Sequence, residues 1–144
     1  MTAIYFVETT TGEQNDCLCR WTERFYLERK RVRVVVDSMA DAQRIDQLLW
    51  TFSQQSFIPH EIFNSGANQP GEPVVITPGP FPTAGCEVVV CGCETELEFM
   101  SFFETAIHFI VGDDPQRKQK SRLLWQRARD LGLNPKHVPY EGKR

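Results

Sequence analysis

The sequence has no GxGxxG following a strand and no GxxxxGK(S/T), so both common phosphate-cradling glycine loops are missing. The C-x2-C pairs of ordinary structural zinc sites are missing too. Cys17-Leu18-Cys19 and Cys86-x4-Cys91-Gly92-Cys93 are spaced differently, and residues i and i+2 on a helix do not share a face. Histidine is scarce, with His60, His108 and His137 far apart, and no cysteine lies in an identifiable nucleophile turn. No apolar run approaches the roughly 20 residues that a membrane-spanning helix needs. The opening MTAIYFVETT has a short apolar run and no positive leader. With an odd count of five cysteines, this sets the expectation of reduced thiols in a cytoplasmic protein without metal or cofactor. The net charge of −3 argues against a surface that embraces duplex DNA.

What remains is an ordinary globular chain. Its 144 residues, 41% hydrophobic and 24% charged, suit one domain over 1–144 with a core that needs no staples. AIYFVE (3–8) reads as a buried strand, and residues 13–29 as a helix carrying Leu18, Trp21, Phe25 and Tyr26 on one face. RVRVVVD (31–37) is a β-branched strand. Ser38 then caps a helix to about Trp50, with Asp41 at its third position. Further strands are expected at 73–77, 87–91 and 106–111, with a short helix at 96–103. Glycine and proline concentrate between 64 and 85. Alternating strands and helices predict an α/β fold: a single Rossmann-like domain, mostly parallel, with helices on both faces. Residues 133–144 read as an extended, exposed polar tail.

The last helix opens with Asp114 as N-cap and Pro115 at its first position, and stops at Gly132. Along it Lys118, Arg122, Trp125 and Arg129 stand at i, i+4, i+7 and i+11, on one face. Leu124, Ala128 and Leu131 form an adjoining apolar stripe that the fold must cover. A ring among cations beside a buried face suits a ligand both acidic and apolar. Spacing alone leaves a second reading, a solvated basic face with Trp125 partly in the core.

The segment Arg44–His60, RIDQLLWTFSQQSFIPH, resembles the chi subunit family of bacterial DNA polymerase III holoenzyme. That family carries R-L-D-x-x-L-W…S-F-x-P-H at the same place. The likeness extends through the opening Tyr-Phe strand, the proline-rich middle and the basic helix ending in glycine. It implies a clamp-loader accessory protein, Rossmann-like and without catalysis, with two partners on separate surfaces. One partner is the acidic C-terminal tail of single-stranded DNA-binding protein, which ends in Phe with a free carboxylate. The other is the psi subunit, or a clamp-loader or helicase protein in its place; DNA is met only indirectly and no membrane is involved. The tail-binding Lys, Arg and aromatic fall on Lys118, Arg122 and Trp125, with a pocket-lining aliphatic near Val111. The aromatic is more familiar as Tyr, so Trp125 lacks the hydroxyl. Arg129 extends the same charged face, and the psi-facing aromatics fall on Trp50 and Phe57.

A reading from another class stays open, a small α/β nucleotide-binding protein or enzyme that uses the crevice at the strand C-termini. Asp113 and Asp114 adjoin such a strand end, though Asp114 suits a helix cap better. For Trp50 and Phe57 the bland alternative is core packing at a helix end.

Overall fold

Valine dominates the central strands because a parallel sheet covered on both faces needs apolar side chains at every position. The computed structural model, which describes residues 2–53, 55, 57–64, 71–80 and 85–141, bears this out. The elements are β1 (Ala3–Thr9), α1 (Gln14–Leu27), β2 (Val32–Val36), α2 (Met39–Thr51), β3 (His60–Ile62), β4 (Val74–Pro78), β5 (Val88–Cys91), α3 (Leu97–Met100), β6 (Thr105–Val111), α4 (Pro115–Asp130) and β7 (Asn134–Val138). Every residue of β2 and β5 is buried. Arg33, in β2, is the exception in kind. Its Nε donates to Thr77 Oγ1 at 3.2 Å, its guanidinium lies 5.0 Å from the Phe99 ring, and burial lowers its pKa to about 10.

Among the described residues the strands form one sheet in the order β3-β4-β2-β5-β6-β1-β7, with every pairing parallel. Helices α1 and α2 cover one face, where Leu18, Phe25, Ile45 and Leu49 pack with Val34, Val90 and Ile107. Helices α3 and α4 cover the other, where Leu97, Met100 and Ala128 pack with Ile4, Phe6, Val89 and Ala106. Connections on the first face step toward β3 and those on the second step toward β7. That reversal is what right-handed crossovers require. The expected doubly wound α/β fold is therefore present.

Local signals behave as their chemistry dictates. Ser38 Oγ accepts from the Asp41 amide at 3.1 Å, and Asp114 Oδ1 accepts from the Arg117 amide at 3.2 Å. Gly132 ends α4 with φ of 76°, a left-handed conformation that a side chain would disfavour.

Two strands were not anticipated, and β7 corrects the reading of the tail. Residues 134–138 pair with β1 along the sheet edge, though their side chains stay exposed or half-exposed. An edge tolerates both the polar outer side and Pro135, which has no amide hydrogen to give. Leu131 also departs from expectation. Ala128 is fully buried and Leu124 packs on the second core, but Leu131 caps the helix beyond the sheet and is 57% exposed. Residues 65–70 and 81–84 of the proline-rich middle, and 142–144 of the tail, lie outside the described residues.

Candidate functional site

On β6 side chains alternate between the two faces, so Ala106, His108 and Ile110 look toward α4. On β1 Ile4, Phe6 and Glu8 do the same. Where α4 lies across these strands and the β7 edge, a pocket of about 410 Å³ opens, lined by Phe6, Glu8, Ile110, Lys118, Ser121, Arg122, Trp125 and His137. Phe6 and Trp125 meet edge to face, with ring centroids 5.0 Å apart. Lys118, Arg122 and Trp125 thus share the pocket as the sequence anticipated.

Two expected residues do not join them. Val111 is fully buried on the sheet face turned from α4, and Ile110 holds the aliphatic position instead. The strand period of two makes a one-residue offset a change of face. Arg129 is exposed on the same side of α4 but does not line the pocket. At 1.5 Å rise per residue it stands about 6 Å past Trp125. Phe6, Glu8, Ile110 and His137 escaped the sequence reading. Ile110 alone was within its reach, by alternation from Ala106.

The cations of α4 divide by side. Lys120 pairs with Glu94 at 2.9 Å, Arg127 with Glu98 at 2.6 Å, and Arg117 donates to Gln14 Oε1 at 3.1 Å. Among the described residues, Lys118 and Arg122 have no carboxylate partner. Both are exposed at the rim of the apolar pocket. The result is a positive rim over an aromatic floor.

Below the floor, His108 Nε2 lies 2.8 Å from Ser121 Oγ. Burial, with Arg117 nearby, lowers the His108 pKa to about 4 from an ordinary 6.5, so the ring is neutral near pH 7. Between those two values the unfolded chain binds a proton that the folded one refuses. Stability contributed here is therefore present above about pH 6.5 and falls as pH drops toward 4. Urea midpoints followed across that interval should decline more shallowly in His108→Gln than in the wild type.

At the opposite sheet edge, Trp50 ends α2 and Phe57 follows it, 48% and 70% exposed, with ring centroids 5.4 Å apart. Exposure on this scale separates them from core packing. His60 fixes the pair from beneath. Its Nδ1 lies 2.7 Å from the Ile58 carbonyl, its Nε2 3.0 Å from the Asp46 carbonyl, and its ring 4.2 Å from that of Trp50. Residues 54 and 56 of this segment lie outside the described residues. With strands about 4.8 Å apart, β7 and β3 are separated by roughly 29 Å.

At the C-terminal ends of β2 and β5 a second opening of about 340 Å³ is lined by Asp37, Asp41, Arg44, Glu94 and Arg117 among others, and several acids around the strand ends serve the fold. Asp113 Oδ1 accepts from the amide and hydroxyl of Thr11 at 2.9 and 3.0 Å, and these bonds hold its carboxyl below the usual range. Asp114 caps α4 as expected. Near the ends of β2 and β5, Asp41 pairs with Arg44 at 3.2 Å. The five cysteines are free thiols; burial pushes Cys19 and Cys91 up to about 12. Among the described residues no group of three His, Cys, Asp or Glu side chains could hold a metal ion.

Together these features define a doubly wound parallel α/β domain with a cation-rimmed apolar pocket at one sheet edge and an exposed aromatic pair at the other. A sequence model of the family described as DNA polymerase III chi subunit, HolC, matches residues 1–136, and the chain belongs to that family. It is similar to the DNA polymerase III subunit chi of Escherichia coli strain K12, 25% identical over 118 residues, which are 81% of this chain and 79% of the relative.

Proposed function

We propose that the chain is a non-catalytic accessory subunit of the replicative clamp-loader complex. Its pocket beside α4 binds the acidic, Phe-terminated tail of single-stranded DNA-binding protein, and its Trp50–Phe57 surface joins a psi-like partner. The observation that carries this reading is Lys118 and Arg122, without a carboxylate partner among the described residues, over Phe6, Ile110 and Trp125, on a helix whose Lys120 and Arg127 are ion-paired elsewhere. Family membership supports the broader role in replication and a cytoplasmic place of work. Among the described residues no helix is long and apolar enough to cross a membrane.

A peptide ending in a carboxylate needs a cation for its terminus and a hole for its last side chain. Burying a terminal Phe contributes roughly 1.5–3 kcal/mol. Exposed ion pairs add about 0–1 kcal/mol each, so they steer the encounter and reject wrong sequences more than they hold the peptide. Micromolar affinity, about 8 kcal/mol, is the expected range. The roughly 29 Å between the two edges lets both partners bind at once.

Calorimetric titration with a synthetic acidic peptide ending in Phe tests the pocket. The free acid should bind and its C-terminal amide should bind markedly less well. Indifference to amidation would count against it, and binding of a nucleotide in place of the peptide would favour the crevice reading. For the second surface, Trp50→Ala should keep peptide affinity but lose clamp-loader proteins in a pull-down from native lysate. An unchanged pull-down would return Trp50 to a structural role.

A further inference from the structure

One acidic side chain lines the pocket that Lys118 and Arg122 rim. Glu8 stands on β1 opposite Ile110 of β6 in the parallel register, on the same strand face as Phe6. Its Oε2 lies 2.5 Å from Nε2 of His137 on β7, and the two side chains are 35% and 49% exposed. Oε1 has no hydrogen-bond donor among the described residues. The pocket therefore has two chemically distinct sides. On α4 are donors that carry positive charge; on β1 and β7 is a carboxylate hydrogen-bonded to an imidazole.

We infer that Glu8, held in place by His137, sets the direction in which a peptide end lies in this pocket. It accepts a backbone N–H of the bound chain and turns the terminal carboxylate away, toward Lys118 and Arg122. The inference rests on the reading of the pocket as a peptide-terminus site and deepens it. A peptide end is itself two-sided, with a carboxylate at its tip and N–H donors one residue back. Laid one way, the carboxylate meets the cations and an N–H meets Glu8, both charge-assisted contacts. Laid the other way, the carboxylate faces Glu8 and the donors face a guanidinium. Both contacts then repel, so the reversed pose is rejected by the site itself. With Lys118 and Arg122 against Glu8 alone, the pocket carries more positive than negative charge, and the hydrogen bond to His137 fixes where the acid sits.

The binding consequence has a sign that a purely structural role does not share. Glu8→Gln keeps an acceptor of the same shape and removes the negative charge. It takes the charge assistance from the N–H contact in both peptides alike and lifts repulsion from the free carboxylate alone, so the preference for the free acid over the amide should rise by about threefold. His137→Ala removes the hydrogen-bond partner of Glu8, leaves its full charge facing the pocket, and should lower that preference by up to about threefold. The double variant should behave like Glu8→Gln, because without the carboxylate there is no charge for the loss of His137 to expose. If the pair merely pins β7 to β1, each variant would weaken both peptides by the same factor and leave the preference at its wild-type value. That result, or no change in Glu8→Gln, overturns the inference while wild-type binding still upholds the pocket. Failure of the wild type to bind the free acid would refute the pocket reading and the inference with it.

Discussion

Replacing Phe6 with alanine is expected to lower the stability of the fold by roughly 3–5 kcal/mol. Phe6 is fully buried at the middle of β1, a strand paired on both sides. Its ring packs against His108 and Trp125, each with a centroid 5.0 Å away. Truncation removes the transfer free energy of a benzyl group and leaves a cavity that two neighbouring strands and a helix hold open. For a domain of this size the melting midpoint should fall by roughly 10–15 °C. Phe6→Leu keeps most of the volume and should cost under about 1.5 kcal/mol. Because Phe6 also floors the pocket, the alanine variant should lose peptide affinity even below its melting point. A loss of stability under about 1 kcal/mol in urea unfolding would contradict its place in the core.

The largest effect on binding is expected at Arg122. Arg122→Ala should weaken the free-acid peptide by about fivefold, the upper end of what an exposed ion pair contributes. The planar guanidinium meets a carboxylate at two points, whereas Lys118 offers an adaptable point charge, so Lys118→Ala should cost less. Arg127→Ala is the informative control. That residue lies one turn away on α4 but is paired with Glu98 at 2.6 Å, and its loss should leave peptide affinity unchanged. If Arg127→Ala weakened binding as much as Arg122→Ala, the effect would belong to the helix's overall charge and not to a pocket.

The sites were unequally legible from residues. The face shared by Lys118, Arg122 and Trp125 is a local matter, because helical spacing puts them together wherever the helix packs. Val111 lies one residue from the pocket-lining Ile110, and in a strand one residue is the difference between two faces. His137 could not be found at all, since β7 was not recognised as a strand, and Glu8, though on a recognised strand, gains its partner only from that pairing. Its polar, proline-bearing composition is that of an exposed tail, and only pairing with β1 distinguishes the two.

The sequence by itself determined the period of each main element, its caps, the doubly wound class and, through RIDQLLWTFSQQSFIPH, the family. These depend on neighbours a few residues apart, whose geometry a helix or strand fixes in advance. Only the tertiary structure decided which cations of α4 are free. Lys120 and Arg127 find Glu94 and Glu98, 26 and 29 residues away, while Lys118 and Arg122 meet an apolar floor built by β1 and β6. It also exposed the Trp50–Phe57 pair, because burial is a property of what the rest of the chain covers. The basic stripe was a local pattern; the pocket beside it is a consequence of packing.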